Sequence, residues 1–236
     1  MADLFSRILD VFKAPKPAAD QAGDPMLDQE LALADPLNLF PRSGGGMFTP
    51  YNPNKLIRAQ GLGVFDKMRR DEQVKSALAF KKHAVTSTGW QICPPEGVDA
   101  QDDHEPTNFI KAQMYGLPGT LDRNIKGILS ALDYGYSVTE KVYTEIETGE
   151  FQGLIGLSKL KTRRPHGIDF RQDEFGNVLA ICQNSINGPR EFMPAKFAIY
   201  SYQDEFSNPY GTSDLDSAYR PWWFKDGAYK WLGMYL

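Results

Sequence analysis

The stretch ALDYGYSVTEKVY, residues 131–143, decides the fold, because its hydrophobic pattern changes from a helical period to an alternating one. Thr120 is the predicted N-cap of the helix that leads into it, with Asp122 in the first turn. Gly135 is the predicted left-handed residue at the end of that helix. Residues 136–143 predict a β-strand, so the chain passes from helix to strand at one glycine. The predicted buried face of the helix comprises Leu121, Ile125, Ile128, Leu129 and Leu132.

Further strands are predicted downstream of this stretch. Thr148-Gly149-Glu150 suits a turn, so the first strand and the next one are expected to form a hairpin. A second hairpin is centred on residues 173–177, where Gly176 and Asn177 supply the positive φ of a tight turn. This run of hairpins indicates a mainly antiparallel sheet with helices packed on it, an α+β fold. The later predicted strands are residues 153–162, 168–170, 178–181 and 197–200.

Two more helices are predicted on the N-terminal side. The clearest helical pattern lies within residues 64–89, with Asp71 as the N-cap. Gly89 is expected to end this helix, and residues 90–92 to begin a strand. Pro106 suits the first turn of the next helix, because a first-turn residue needs no backbone N–H donor. The expected core residues are Val74, Ala77, Leu78, Ala84 and Val85 in the first helix and Phe109, Ile110 and Met114 in the second.

Residues 212–236 return to a helical pattern, capped by Thr212 or Ser213. Pro221 falls inside this pattern and is expected to kink or split the helix. Three of the four tryptophans of the chain fall within ten residues here. Base stacking on single-stranded nucleic acid is one use of such side chains, but the mixed flanking charge favours packing within the protein or between subunits. The candidate packing or interface residues are Tyr219, Trp222, Trp223 and Phe224.

The first 63 residues predict an N-terminal helix and an extended arm, and residues 64–236 predict the α+β domain. Residues 2–13 have an amphipathic pattern whose two aspartates disfavour an anionic membrane surface. Docking to protein is therefore favoured, with packing on its own chain as the alternative. Residues 14–63 are rich in proline and glycine and predict irregular structure. The apolar stripe of the candidate docking helix comprises Leu4, Phe5, Ile8, Leu9 and Phe12.

Composition narrows the function classes. The net charge is −4, from 26 basic and 30 acidic residues, which argues against tight sequence-independent DNA binding, since that needs clustered Lys and Arg. The two cysteines, Cys93 and Cys182, have no CxxC spacing and cannot form a disulfide framework or a metal knuckle. No apolar run approaches the roughly 18 residues of a membrane span, and the N-terminus lacks a signal-peptide pattern. Composition thus predicts a cytoplasmic, reduced protein.

Motifs for chemistry are weak throughout the sequence. Gly61-Leu-Gly63 lacks the preceding strand and the third glycine of a dinucleotide fingerprint, so it predicts a turn. The pairs Asp102-Asp103 and Asp204-Glu205 suit acid–base or two-metal chemistry, but adjacent loop residues usually point apart. No catalytic, cofactor or metal residue is predicted. The candidate contacts to phosphate or to an acidic partner are Lys159, Lys161 and Arg163. These three residues share one face of a strand. The alternative interpretation is that this face is simply the solvated face of an edge strand.

Three segments together resemble the portal proteins of tailed phages, most closely the Mu-like portal family. Residues 65–92 resemble the early helix of that family, which begins at an aspartate and is followed by a strand at a tryptophan. Residues 131–143 are similar to its helix–glycine–strand passage, which carries Tyr-Gly-x-Ser and a glutamate. Residues 206–225 resemble the turn that begins its long wing helix.

The resemblance implies a structural subunit without catalytic residues or cofactors. It implies a ring of usually twelve copies at the capsid vertex of the virion, assembled in the host cytoplasm. Such a ring conducts double-stranded DNA during packaging and ejection, without sequence-specific binding, and contacts the terminase, the major capsid protein and a head–tail adaptor. Residues 64–236 correspond to the wing, so the stem, clip and crown are expected after residue 236, where the helical pattern runs on without a cap.

Two alternatives come from different functional classes. A head–tail adaptor, or another virion scaffold protein, shares the assembly role without the channel. A metal-dependent nucleic-acid-processing enzyme would use Asp204 and Glu205.

Overall fold

The computed structural model describes residue 30 and residues 50–94, 105–186 and 188–236. Along these residues a group of helices comes first, antiparallel strands follow, and one long helix comes last, which confirms the α+β class. The candidate docking helix of residues 2–13 lies outside the described residues.

Three helices open the described part of the chain: α1 (Lys55–Gln60), α2 (Gly63–Met68) and α3 (Glu72–Ser87). The first of them lies in the segment that was predicted to be irregular, so that prediction is wrong for these residues. Leu56 and Ile57 pack against the same core as α2, and this burial stabilises a helix that is too short to be stable by itself. Helix α2 buries Val64, Phe65 and Met68 in that core.

Helix α3 begins where the sequence predicts. The carboxylate of Asp71 accepts hydrogen bonds from the backbone N–H groups of Gln73 and Val74. Its predicted core stripe is too wide, because the helix touches the core along one narrow line on which Leu78 is buried and Val74 half-buried. The residues of that stripe that are exposed instead are Ala77, Ala84 and Val85.

The strand predicted at residues 90–92 is absent from the described segment 50–94. The ring of Trp90 instead lies 4.9 Å from that of Tyr115, at the end of helix α4 (Glu105–Tyr115). Pro106 is in the first turn of α4, as predicted, but Ile110 is 47% exposed rather than inward. Phe109 and Met114 are half-buried.

The helix that was predicted to precede Gly135 is two helices, α5 (Leu121–Ile128) and α6 (Ala131–Tyr134). Thr120 caps α5 by accepting a hydrogen bond from the N–H of Arg123, as predicted. The chain leaves the helical path at residues 129–130, which lets α6 turn toward the sheet. On the predicted buried face, Leu129 and Leu132 are buried, while Leu121, Ile125 and Ile128 are half-buried.

Gly135 ends α6 in the left-handed conformation, with φ of 89°. A Cβ atom at this position would lie 2.6 Å from the carbonyl oxygen of Tyr210. Two conditions therefore require glycine here, the positive φ and the close approach of a second backbone segment. A hydrogen bond also fixes the position of this helix–strand passage, since the N–H of Tyr202 donates to the carbonyl oxygen of Gly135 at 2.8 Å.

The strands form two three-stranded antiparallel sheets rather than one. In the first sheet, the central strand pairs with its hairpin partner on one side and with the last strand of the chain on the other. In the second sheet, two hairpins follow in chain order, and the third strand, which includes Pro189, was not predicted. The first sheet has the order β2–β1–β6, with β1 Tyr136–Glu145, β2 Ile155–Arg163 and β6 Phe197–Ser201. The second has the order β3–β4–β5, with β3 Ile168–Gln172, β4 Val178–Ser185 and β5 Gly188–Phe192.

Each face of the first sheet packs against a different layer. On one face, Tyr136 and Val138 pack against buried side chains of β3 and β4. The rings of Tyr136, Phe170 and Tyr210 meet edge-to-face there, with centroids 5.1–5.4 Å apart. On the other face, Thr139 and Thr162 share a hydrogen bond beneath α5. Strand β1 is thus buried on both faces along its first half.

Helix α7 (Asp214–Tyr235) closes the described chain. The hydroxyl of Ser213 accepts a hydrogen bond from the N–H of Leu215, which confirms one of the two predicted caps. The helix is not split at Pro221, so that part of the prediction is wrong. The kink stays a prediction. Leu215, Tyr219 and Trp222 pack on the same core as α2 and α3.

Candidate functional site

Asp133 is the centre of a charged cluster beneath the helices. Its side chain is fully buried, and its two carboxylate oxygens lie 2.7 and 2.8 Å from the ammonium of Lys82. The guanidinium Nε of Arg69 lies 2.8 Å from the same carboxylate. A buried carboxylate is tolerated only when it is paired and hydrogen-bonded, and two cations meet that need here. Asp133 therefore ties α2 and α3 to α6.

A second carboxylate extends the cluster toward solvent. Asp66 accepts a hydrogen bond from the hydroxyl of Tyr134. It also forms an ion pair with Arg164 at 2.9 Å, and the ring of His166 lies 3.1 Å from the same carboxylate. Burial acts to raise the pKa of Asp66, but the bonds from Tyr134 and Arg164 prevail and lower it. Burial and the bond to Asp66 raise the pKa of Tyr134 to about 12. Tyr134 thus stays protonated and joins the two carboxylates through Arg69, which donates to its hydroxyl.

The two carboxylates lie in an open cleft of about 750 Å³ between α2, α3 and the end of β2. Six cationic side chains line it, against only these two acids. Its apolar lining residues are Leu78, Ala79 and Pro165. The cationic lining residues are Arg69, Arg70, Lys75, Lys82, Arg163 and Arg164. The cleft is therefore a basic site on a chain whose net charge is negative. We call it the basic cleft.

The three predicted basic residues lie on β2, and the structure separates them. Arg163 lines the basic cleft and pairs with Glu140 on the neighbouring strand. Lys159 and Lys161 are exposed on the same face of this edge strand but do not line the cleft. Sequence reasoning found Arg163 through its strand spacing and missed the other cleft residues. Asp133 and Lys82 are 51 positions apart, and only the fold brings them together.

The four predicted aromatic residues lie on α7 and divide into two pairs. Tyr219 and Trp222 are partly buried and pack on the core beside α2 and α3. Trp223 and Phe224 are 55% and 65% exposed, and their rings contact each other at 5.3 Å. The exposed pair continues toward the end of the helix as an apolar surface that includes Tyr229, Trp231, Leu232, Met234 and Tyr235.

The acidic pairs considered for chemistry have different outcomes. Asp204 and Glu205 lie on an exposed loop between β6 and α7. Asp102 and Asp103 lie outside the described residues. Among the residues that the structure describes, no three His, Cys, Asp or Glu side chains are arranged to hold a metal ion. Within the same residues, no helix has the length and apolar character needed to cross a membrane.

Comparison with models of protein families gives a match. A family model described as the portal protein of Mu bacteriophage matches residues 62–236. The matched region covers every strand and helices α2 to α7. No curated protein matches the chain.

Proposed function

Because the chain belongs to the portal protein family of Mu bacteriophage, we propose that it is a structural subunit of the portal ring at one vertex of the phage capsid. The match over residues 62–236 carries this proposal, because it includes all the described strands and helices α2 to α7. The ring has twelve subunits, assembles in the host cytoplasm and stays in the virion. It conducts double-stranded DNA inward during packaging and outward during ejection.

Charge supports the role of a conduit. A channel for a stiff polyanion should not grip it, since each phosphate contact adds friction to movement. The net charge of −4 agrees with this requirement. In this proposal the DNA passes without sequence-specific contacts, and the ring performs no catalytic step of its own.

The exposed end of α7 supports a role in assembly. Aromatic side chains are enriched at the centres of protein interfaces, and here several of them share one helix end. In this proposal the described residues form the wing of the subunit. The partners of the ring are the major capsid protein, the head–tail adaptor and, during packaging, the terminase.

Native mass spectrometry of the full-length protein at micromolar concentration tests the proposal. We expect a closed ring of twelve copies, which negative-stain microscopy would show with a central channel. A stable monomer under these conditions would contradict the proposal. Complementation adds a test of the role in packaging, because phage particles assembled without the chain should contain no DNA.

A further inference from the structure

We propose that the basic cleft of one copy receives the acidic turn between β1 and β2 of a neighbouring copy, so that the two surfaces form a subunit contact of the ring. This inference rests on the proposed function, since it requires an assembly of identical chains. Beyond the proposed function, it specifies which two surfaces meet in the ring and that opposite charges attract them.

The basic cleft has more positive charge than its own acids neutralise. Arg70 and Lys75 are exposed, and neither forms an ion pair with any residue of the described part of the chain. The single carboxylate of Asp133 serves two cations, Arg69 and Lys82. The cleft thus has room and uncompensated charge for an anionic group from outside the chain.

The acidic turn has the opposite charge. It comprises residues 145–154, and its three glutamates, Glu145, Glu147 and Glu150, are all exposed. The sequence contains no Lys, Arg or His from position 142 to position 158. No ion pair joins these glutamates to another described residue. The apolar side chains Leu154 and Ile155, which follow these glutamates in the sequence, are exposed, and this suits a cleft that has apolar residues in its lining.

Packing holds the acidic turn in one position. The ring of Phe151 meets that of Phe109 on α4 edge-to-face, with centroids 5.2 Å apart. The side-chain oxygen of Gln113 accepts a hydrogen bond from the backbone N–H of Leu157 at 2.9 Å. A turn that is fixed before it binds loses little conformational entropy in the complex. The structure thus presents the three glutamates as a preformed surface.

The two surfaces of one copy are too far apart to meet. They lie at opposite ends of the β1–β2 ladder, where Val138 pairs with Arg163 at the cleft end and Glu145 pairs with Ile155 at the turn end. The seven residue-to-residue steps from Val138 to Glu145 span about 23 Å of extended strand, at roughly 3.3 Å per residue. A Glu and an Arg side chain together cannot bridge that distance. An acidic turn that enters the cleft must therefore belong to a different molecule.

Contact between two different surfaces of the same chain is heterologous, or head-to-tail. Such contacts form a ring when the rotation between neighbours closes. A second copy is favoured over nucleic acid, because the rest of the chain is net acidic. Nucleic acid in the cleft is the competing outcome of the test.

Charge reversal in the full-length protein tests the contact. The cleft variant combines Arg70→Glu with Lys75→Glu, and the turn variant combines Glu147→Lys with Glu150→Lys. All four side chains are exposed, so the fold should be retained, which circular dichroism and urea unfolding check. We expect each variant alone to lose ring assembly by at least about tenfold in native mass spectrometry, because like charges would then face each other. A matched control, Arg190→Glu with Lys196→Glu, makes the same change in net charge on exposed residues outside the cleft and should assemble normally.

The decisive experiment is whether ring assembly is restored when the cleft and turn substitutions are combined. An equimolar mixture of the cleft and turn variants should form rings of alternating copies, because each reversed surface then meets its reversed partner. A chain carrying all four substitutions should also assemble. Failure of both the mixture and the four-fold variant to assemble would overturn the contact, as would normal assembly of the cleft variant alone. Loss of binding to a 30-base-pair DNA duplex in the cleft variant, with rings intact, would assign the cleft to nucleic acid and also overturn it. A wild-type monomer would instead contradict the proposed function itself.

Discussion

At the scale of single residues, Asp133 and Gly135 control the passage from helix to strand. Asp133 joins that passage to α2 and α3 through two ion pairs. Gly135 brings it within contact of the backbone that leads into α7. Neither residue touches solvent freely, so each acts on stability rather than on binding.

Replacement of Asp133 by Asn tests the buried cluster. The change keeps the side-chain shape but leaves Lys82, whose side chain is only 17% exposed, without its counter-charge. Arg69 loses its 2.8 Å contact and keeps only the longer one to Asp66, at 4.0 Å. We expect the free energy of unfolding to fall by about 3 kcal/mol in urea denaturation. The control is Asp226→Asn, whose pair with Lys230 is on the surface and should cost less than about 0.5 kcal/mol. Equal losses in the two variants would refute the role of Asp133.

Replacement of Gly135 by Ala tests the close backbone approach. Gly153→Ala is the matched control, because Gly153 has a similar φ of 84° but nothing within 4 Å of an added Cβ. We expect Gly153→Ala to cost about 1 kcal/mol from backbone strain alone. Gly135→Ala should cost roughly 2 kcal/mol more from the clash with Tyr210, measured by the same urea unfolding. If the two losses were equal, the clash would contribute nothing.

At the scale of elements, α3 and α7 are joined at the N-terminus of α3. Lys225 of α7 lies 2.8 Å from Asp71 and pairs also with Glu72. The hydrogen bond from Lys225 is the main cause that holds the pKa of Asp71 below its ordinary value of 3.8, and the backbone N–H groups of the helix start add to it. The carboxylate of Asp71 thus caps α3 and also forms an ion pair with α7.

Substitutions at Asp71 separate these two roles. Asp71→Ala removes the cap and the ion pair, and we expect a loss of about 1 kcal/mol or more in unfolding free energy. Asp71→Asn keeps a capping oxygen and should lose less. Because the pKa is lowered in the folded state, the contribution of the carboxylate is fully present above pH 3.8 and declines as the pH falls through the folded pKa. The difference between wild type and Asp71→Asn should therefore be seen near neutral pH and disappear in acid. A difference that does not depend on pH would argue against the ion pair.

Elements with local signals were predicted from the sequence. The Asp71 cap, the strand after Gly135 and the turn at residues 173–177 all depend on residues within a few positions of each other. Strand β5 was missed because Gly188-Pro189 carries no alternating pattern, and only pairing with β4 makes it a strand. The basic cleft could not be predicted for the same reason, since its residues come from helices and a strand that are distant in the chain.

At the scale of the whole molecule, α7 has two roles on two faces. One face completes the core through Tyr219 and Trp222. The other presents Trp223 and Phe224 to solvent. The same helix therefore contributes to folding and exposes an apolar surface, which we propose to be a site of assembly.

Alanine substitutions at the adjacent tryptophans distinguish these faces. Trp222→Ala should lower the free energy of unfolding by roughly 3 kcal/mol, because it removes a packed aromatic ring from the core. Trp223→Ala should leave unfolding almost unchanged and weaken the ring, which we would measure by native mass spectrometry over a dilution series. Unchanged assembly and an unchanged melting temperature for both variants would refute this division.

The pairing of β1 with β6 has a consequence for synthesis of the chain. Tyr136 pairs with Ser201, so 65 further residues must be synthesised after Tyr136 before the pairing of β1 with β6 can be completed. At about 5–20 residues per second, the ribosome needs roughly 3–13 s to supply them. During that interval β1 has an open edge on the side that β6 will occupy, and such edges pair readily with other chains. Nascent chains are therefore most vulnerable to wrong pairing in these seconds. Limited proteolysis of chains stalled before and after residue 201 would measure when the edge closes.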